Sequence, residues 1–142
     1  MKVRDLMTRD VQTVRPSETI QQVARRMSEL DTGFIPICDG DRVIGLLTDR
    51  DIAIRAVAEG KGPDTPATEI MTSGAESVME DDDLDEVTDK MSRLQIRRIL
   101  VLDAGHKLAG VLSLGDVALE AKAKEAGRTL ADISESGDQP AH

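Results

Sequence analysis

Two four-residue stretches hold the side chains best suited to chemistry: Thr48-Asp49-Arg50-Asp51 and Ser113-Leu114-Gly115-Asp116. Each sets a hydroxyl three residues ahead of a carboxylate, where an apolar strand-like run passes into a helical one. Such a pair can form a capping box, the hydroxyl accepting from a first-turn N–H while the acid reaches back, with Asp a shorter substitute for Glu. It can also recognise a ligand. A carboxylate accepts from both hydroxyls of a ribose, and a hydroxyl beside free helix N-terminal N–H groups holds a phosphate or sugar oxygen. Either stretch alone is weak evidence; two at matched places in a duplicated chain are stronger.

The other reactive side chains do not assemble into a catalytic set. Cys38, the single cysteine, ends the apolar run Phe34-Ile35-Pro36-Ile37 and reads as a buried inert thiol, with no intrachain disulfide available to it. His106 falls in a hairpin turn and His142 at the end of the sequence, so no Cys/His or Ser/His/acid arrangement forms and the chain is expected not to be an enzyme. The acidic run Glu80 to Glu86 lies just before and within the first turn of a helix, where carboxylates cap and favour the dipole. It is read as a solvated capping face. No metal site is expected.

The elements that position the two stretches come from an internal repeat. Residues 6 to 39 align with 70 to 103 at an offset of 64, and one extra residue in the second turn then brings Gly45 to Asp51 onto Gly110 to Asp116. Two copies of one architecture predict a pseudo-twofold pair with a cleft between the halves. In the first copy, Val11 to Val14 reads as a strand, and Pro16-Ser17 opens a helix whose face Ile20, Val23, Ala24, Met27 and Leu30 is core. Strands Phe34 to Cys38 and Val43 to Leu47 flank the hairpin turn Asp39-Gly40-Asp41, and a helix runs from Thr48 to near Gly60. The second copy repeats this with strands Ala75 to Val78, Arg98 to Leu102 and Ala109 to Leu112, and helices Leu84 to Leu94 and Leu114 to Ala126, the last stopped by Gly127. The expected class is α/β (α+β) with small mixed sheets. Repeat 1 is assigned to residues 1–60, a linker to 61–67, repeat 2 to 68–126 and a polar, frayed tail to 127–142, in which Leu130 and Ile133 are available to dock.

Composition narrows the partners. A net charge of -9 argues against nucleic acid and anionic membranes, and a single Phe with no Trp or Tyr removes an aromatic stacking platform. The first residues lack an apolar signal core and no run approaches membrane-spanning length, so a cytoplasmic protein is expected. The helices Ile52 to Ala58 and Val117 to Ala121 are apolar around most of their circumference and need two partners each. The second partner is either the same helices of another chain, giving a homodimer, or the opposite half of the same chain.

Gly45 to Asp51, the upstream Ile35-Pro36-Ile37-Cys38-Asp39, and Leu6-Met7-Thr8 with its partner Ile70-Met71-Thr72 resemble the cystathionine beta-synthase (CBS) domain, whose tandem pair is called a Bateman module. The resemblance spans about residues 3 to 122, and Gly33 to Ala58 is also similar to small stand-alone CBS-pair proteins, including those induced under hypoxia. It implies a sensor of an adenosine ligand such as AMP, ADP or ATP, or else S-adenosylmethionine or a dinucleotide such as NAD, with no cofactor required. By the same resemblance Asp51 and Asp116 bind ribose hydroxyls, and Thr48 and Ser113 contact ribose or phosphate. Groups near Thr13-Val14, Ser77-Val78, Ile35-Pro36 and Ile99-Leu100 enclose the base, which aliphatic side chains can sandwich. Arg97-Arg98 matches a position that often faces phosphate, where repeat 1 has Gly33-Phe34, and Arg50 also reaches for phosphate while its counterpart Gly115 cannot. Leu100 stands where the family usually has the proline present as Pro36. No effector domain is expected within these 142 residues, so a separate, unidentified target protein is expected. The competing possibility is a CBS pair without ligand that serves only dimerisation or interaction with a partner protein.

Overall fold

The computed structural model describes the backbone of residues 1–136 and the side-chain surroundings of residues 1–127. In chain order the elements are a 3-10 turn Val3–Asp5, α1 Ile20–Leu30, β1 Phe34–Asp39, β2 Arg42–Thr48, α2 Asp49–Asp51 continued by a π-helical segment Ile52–Val57, a 3-10 turn Ala67–Glu69, β3 Ser77–Met79, α3 Leu84–Leu94, β4 Arg98–Leu102, β5 Leu108–Ser113 and α4 Leu114–Ser136. The class is mixed α/β with small sheets. β1 and β2 pair antiparallel; β3 runs parallel to β4, which pairs antiparallel with β5.

The strand expected over Val11 to Val14 is reduced to one parallel bridge, Val14 to Ile37. Its counterpart β3 is a full strand for a chemical reason. Glu80 donates its backbone N–H to the Leu102 carbonyl at 2.9 Å, while the matched residue in repeat 1 is Pro16, which has no N–H to give. The helix that follows starts at Ile20, not at Pro16-Ser17, because Thr19 and Gln22 close a reciprocal capping box at 3.2 and 2.9 Å. In repeat 2 Asp83 caps α3 through Glu86 N at 3.3 Å, Asp82 accepts from Met79 N at 2.9 Å, and Asp81 pairs with Arg4 at 2.9 Å. Those contacts account for much of the acidic run. Among the described residues, no three His, Cys, Asp or Glu side chains converge on a metal position.

Each half has its own core, and each core is completed by the segment that leads into the other repeat. Ala67 and Ile70 pack with Val23, Ile35 and Leu47, whereas Val3 and Met7 pack with Val87, Ile99 and Leu112. Backbone bridges fix the exchange: Thr8 with Val111 at 2.9 and 3.0 Å, and Leu46 with Thr72 at 2.9 and 2.8 Å. Burying a side chain such as Ile70 contributes about 1.5–3 kcal/mol, so the exchange binds the halves together.

Two glycines permit it. A Cβ at Gly110 would stand 2.5 Å from the Thr8 carbonyl oxygen, and one at Gly45 would stand 2.5 Å from the Met71 thioether. Gly110→Ala is therefore expected to cost about 1–3 kcal/mol, and Gly45→Ala less, because a Met side chain turns aside more readily than backbone. Thermal denaturation checks the ranking, which equal costs would contradict.

α4 does not stop at Gly127 but continues to Ser136. A glycine ends a helix by taking a left-handed conformation, as Gly60 does at φ 73° after the π-helical segment; Gly127 is not among the positive-φ residues and only weakens the helix, by about 1 kcal/mol relative to Ala. The docking expected of Leu130 and Ile133, and the end of the tail, lie outside the described residues. α1 departs from expectation at its end: Ile20, Val23 and Met27 are buried, but Leu30 is 42% exposed, as is its counterpart Leu94 at 43%. Among the described residues, no helix is long and apolar enough to cross a membrane.

Candidate functional site

Because the leading segments are exchanged, the Ser113 junction faces the opening of repeat 1. The result is a cleft of about 360 Å3 with walls from both halves, within the range of about 300–1,000 Å3 usual for small-molecule sites. One wall carries Thr8, Asp10, Val11 and Gln12 of the leading segment. A second carries Leu30, Thr32, Phe34 and Ile35 from the end of α1 and the start of β1, and the third carries Arg98, Val111, Ser113 and Asp116.

The polar groups lie where β5 becomes α4. Ser113 Oγ accepts from Asp116 N at 3.1 Å, which holds the first turn in place. The Asp116 carboxylate accepts no hydrogen bond and forms no ion pair among the described residues, leaving both oxygens available to a ligand. Arg98 stands beside this junction, paired with Ser113 across β4 and β5, its guanidinium 5.6 Å from the centre of the Phe34 ring. Phe34 and Arg98 are matched residues at the offset of 64, so their contact puts them together at the pseudo-twofold axis. The cleft thus combines an apolar wall, a free carboxylate and a guanidinium.

Four of the residues singled out in the sequence, Ile35, Arg98, Ser113 and Asp116, meet in this cleft. Thr48 and Asp51 form the equivalent junction on the other side, as a complete capping box: Thr48 Oγ1 accepts from Asp51 N, and Asp51 Oδ2 from Thr48 N, both at 3.0 Å. Arg50 is exposed there, its N–H donating to Asp49 Oδ1 at 2.8 Å. Val14, Pro36, Ile99 and Leu100 are buried, and the Thr13 carbonyl accepts from Arg26 at 2.9 Å. Ser77 and Val78 line a separate polar cavity of about 420 Å3 with Lys90, Arg93 and His106. Arg97 is exposed and outside the cleft, its carbonyl accepting from Leu114 N at 2.9 Å.

Sequence reasoning missed Val11, Gln12, Leu30 and Phe34. Phe34 carried a readable signal, being the single aromatic and the match of Arg98. Cys38 is buried, its thiol pushed above its ordinary value by burial and by Asp41, which suits an inert core residue.

A two-sided cleft between exchanged α/β repeats defines a paired ligand-binding module. The model of the CBS domain family matches residues 3–57 and 67–122, and the chain belongs to that family as a tandem pair, a Bateman module. It is 38% identical over 133 residues to the CBS domain-containing protein YhcV of Bacillus subtilis, covering 93% of this chain and 94% of that one. Among solved structures it is similar to hypoxic response protein I with two coordinated zinc ions (TM-score 0.74, 37% identity, covering 83% of this chain and 97% of that one). It is also similar to the CBS pair of protein MJ0100 in complex with 5-methylthioadenosine and S-adenosyl-L-methionine (0.77, 26%, 87% and 98%). A third is PAE2072 from Pyrobaculum aerophilum complexed with AMP (0.74, 28%, 82% and 89%).

Proposed function

We propose that this chain is a cytoplasmic, non-catalytic regulatory module that binds an adenosine nucleotide of the AMP, ADP or ATP type in the cleft at Asp116, and passes the state of that site to a separate target protein. The observation that carries this is the free Asp116 carboxylate, which shares a cleft with an apolar wall and with the Arg98 guanidinium. Ribose hydroxyls donate to the carboxylate, the base lies against Leu30, Phe34 and Ile35, and phosphate faces Arg98. The relatives solved with AMP and with S-adenosyl-L-methionine support an adenosine ligand. A dye-monitored melting series with AMP, ADP, ATP, NAD and S-adenosylmethionine tests it. A nucleotide at about 100 times its Kd is expected to add ~2.7 kcal/mol of stability, whereas no shift from any of the five at millimolar levels would end the proposal.

Arg98 supplies a second test. A charge-assisted contact is worth about 1.5–3 kcal/mol only where its partner exists. Arg98→Ala is expected to weaken AMP and ATP roughly ten-fold or more and adenosine little, measured by calorimetry. Equal losses for all three would mean that Arg98 supports the fold instead.

We also propose a homodimer, because Ile54, Val57 and Leu119 remain 52%, 68% and 68% exposed on the two helices that follow the junctions. The opposite half of the same chain does not cover them. A pair whose role is dimerisation without a ligand remains the alternative that the melting series separates.

A further inference from the structure

The duplication makes two hydroxyl–acid junctions, and their charges are not equivalent. At Asp116 the carboxylate has no partner among the described residues. At Asp51 it has two: Oδ2 accepts from Thr48 N at 3.0 Å, and Oδ1 stands 3.7 Å from Arg55 Nε. The same guanidinium donates through Nη1 to the Met71 carbonyl at 3.4 Å. Met71 belongs to the leading segment of repeat 2, the counterpart of the wall that carries Thr8 in the open cleft. Arg55 therefore spans two walls whose counterparts stand apart around Asp116. The residue matched to Arg55 in repeat 2 is Glu120, whose charge repels Asp116 and cannot make this bridge. A cavity of about 140 Å3 does border the second leading segment at Gly74 and Ala75, lined also by Gly45 and Leu100, but it includes neither Thr48 nor Asp51.

We propose that each chain presents one high-affinity nucleotide site, at Asp116, and that Arg55 disfavours the Asp51 site by ion-pairing with the carboxylate that a ribose would otherwise engage. This rests on the adenosine-nucleotide assignment above and adds the order in which the two sites fill. The Arg55 side chain is half in solvent, although Asp51 is largely buried, and pairs with one exposed member are weak, so Arg55 ranks the sites without sealing one absolutely. The second site is expected to be at least about ten-fold weaker than the first.

Calorimetric titration with AMP, and separately with ATP, decides it. The unsubstituted chain is expected to show one dominant site per chain, which Asp116→Asn weakens. Arg55→Ala and Arg55→Gln, the second keeping most of the aliphatic stem, are each expected to tighten the other site about five- to ten-fold, leaving the first Kd unchanged. Two equal sites in the unsubstituted chain, or a second site that neither substitution tightens, would overturn the role of Arg55 and leave the Asp116 cleft standing. No binding of either nucleotide by any variant would overturn both.

Discussion

Asp116→Asn is expected to weaken AMP by roughly 30- to 100-fold while leaving the melting temperature of the ligand-free chain nearly unchanged. The two effects separate because Asp116 accepts no hydrogen bond through its carboxylate within the described fold, so removing its charge breaks nothing there. Each ribose hydroxyl donating to an ionised oxygen is worth about 1.5–3 kcal/mol, and the amide keeps one neutral acceptor in place of two charged ones. Asp51→Asn should behave in the opposite way. That carboxylate holds the Thr48 N–H and faces Arg55, so its loss is expected to cost about 0.5–2 kcal/mol of fold stability through the cap. Calorimetry with AMP and thermal melting of both variants check the pair. If Asp116→Asn destabilises the fold as much as Asp51→Asn and binds AMP normally, both acids are caps and nothing more.

The second large effect concerns assembly. Light scattering coupled to gel filtration is expected to give a mass of about 31 kDa for a 15.4 kDa chain, and Ile54→Asp is expected to return it to the monomer mass. Ile54 lies on the π-helical segment with Val57 beside it, and a carboxylate left desolvated and unpaired at the centre of an interface costs several kcal/mol. A monomer at tens of micromolar would contradict the dimer. So would a dimer that Ile54→Asp leaves intact.

The duplication, the order of elements and both hydroxyl–acid junctions were legible because they depend on local periodicity and on matched spacing. α3 runs over the expected Leu84–Leu94, and β4 over the expected Arg98–Leu102. What was not legible depends on tertiary pairing. The exchange of leading segments decides that Ser113 and Asp116 face Phe34 and Ile35 of the other repeat, and no spacing within one repeat encodes it. The placement of Val14 in the core with Val11 and Gln12 on the cleft wall turns on where a single bridge forms, which no local pattern fixes. Pro16 signalled a shortened strand, but only against Glu80 in the matched repeat. Leu30 follows the helical stripe and still lines the cleft, because burial at the end of α1 depends on tertiary packing and not on helical spacing.

The most direct measurement is a crystal structure of the chain grown with AMP. The expected result is one nucleotide between the Val11–Gln12 segment and the β5–α4 junction, its ribose hydroxyls within about 2.5–3.0 Å of the Asp116 carboxylate and its phosphate toward Arg98. A cleft left empty at millimolar AMP, or AMP bound elsewhere with Asp116 untouched, would contradict it.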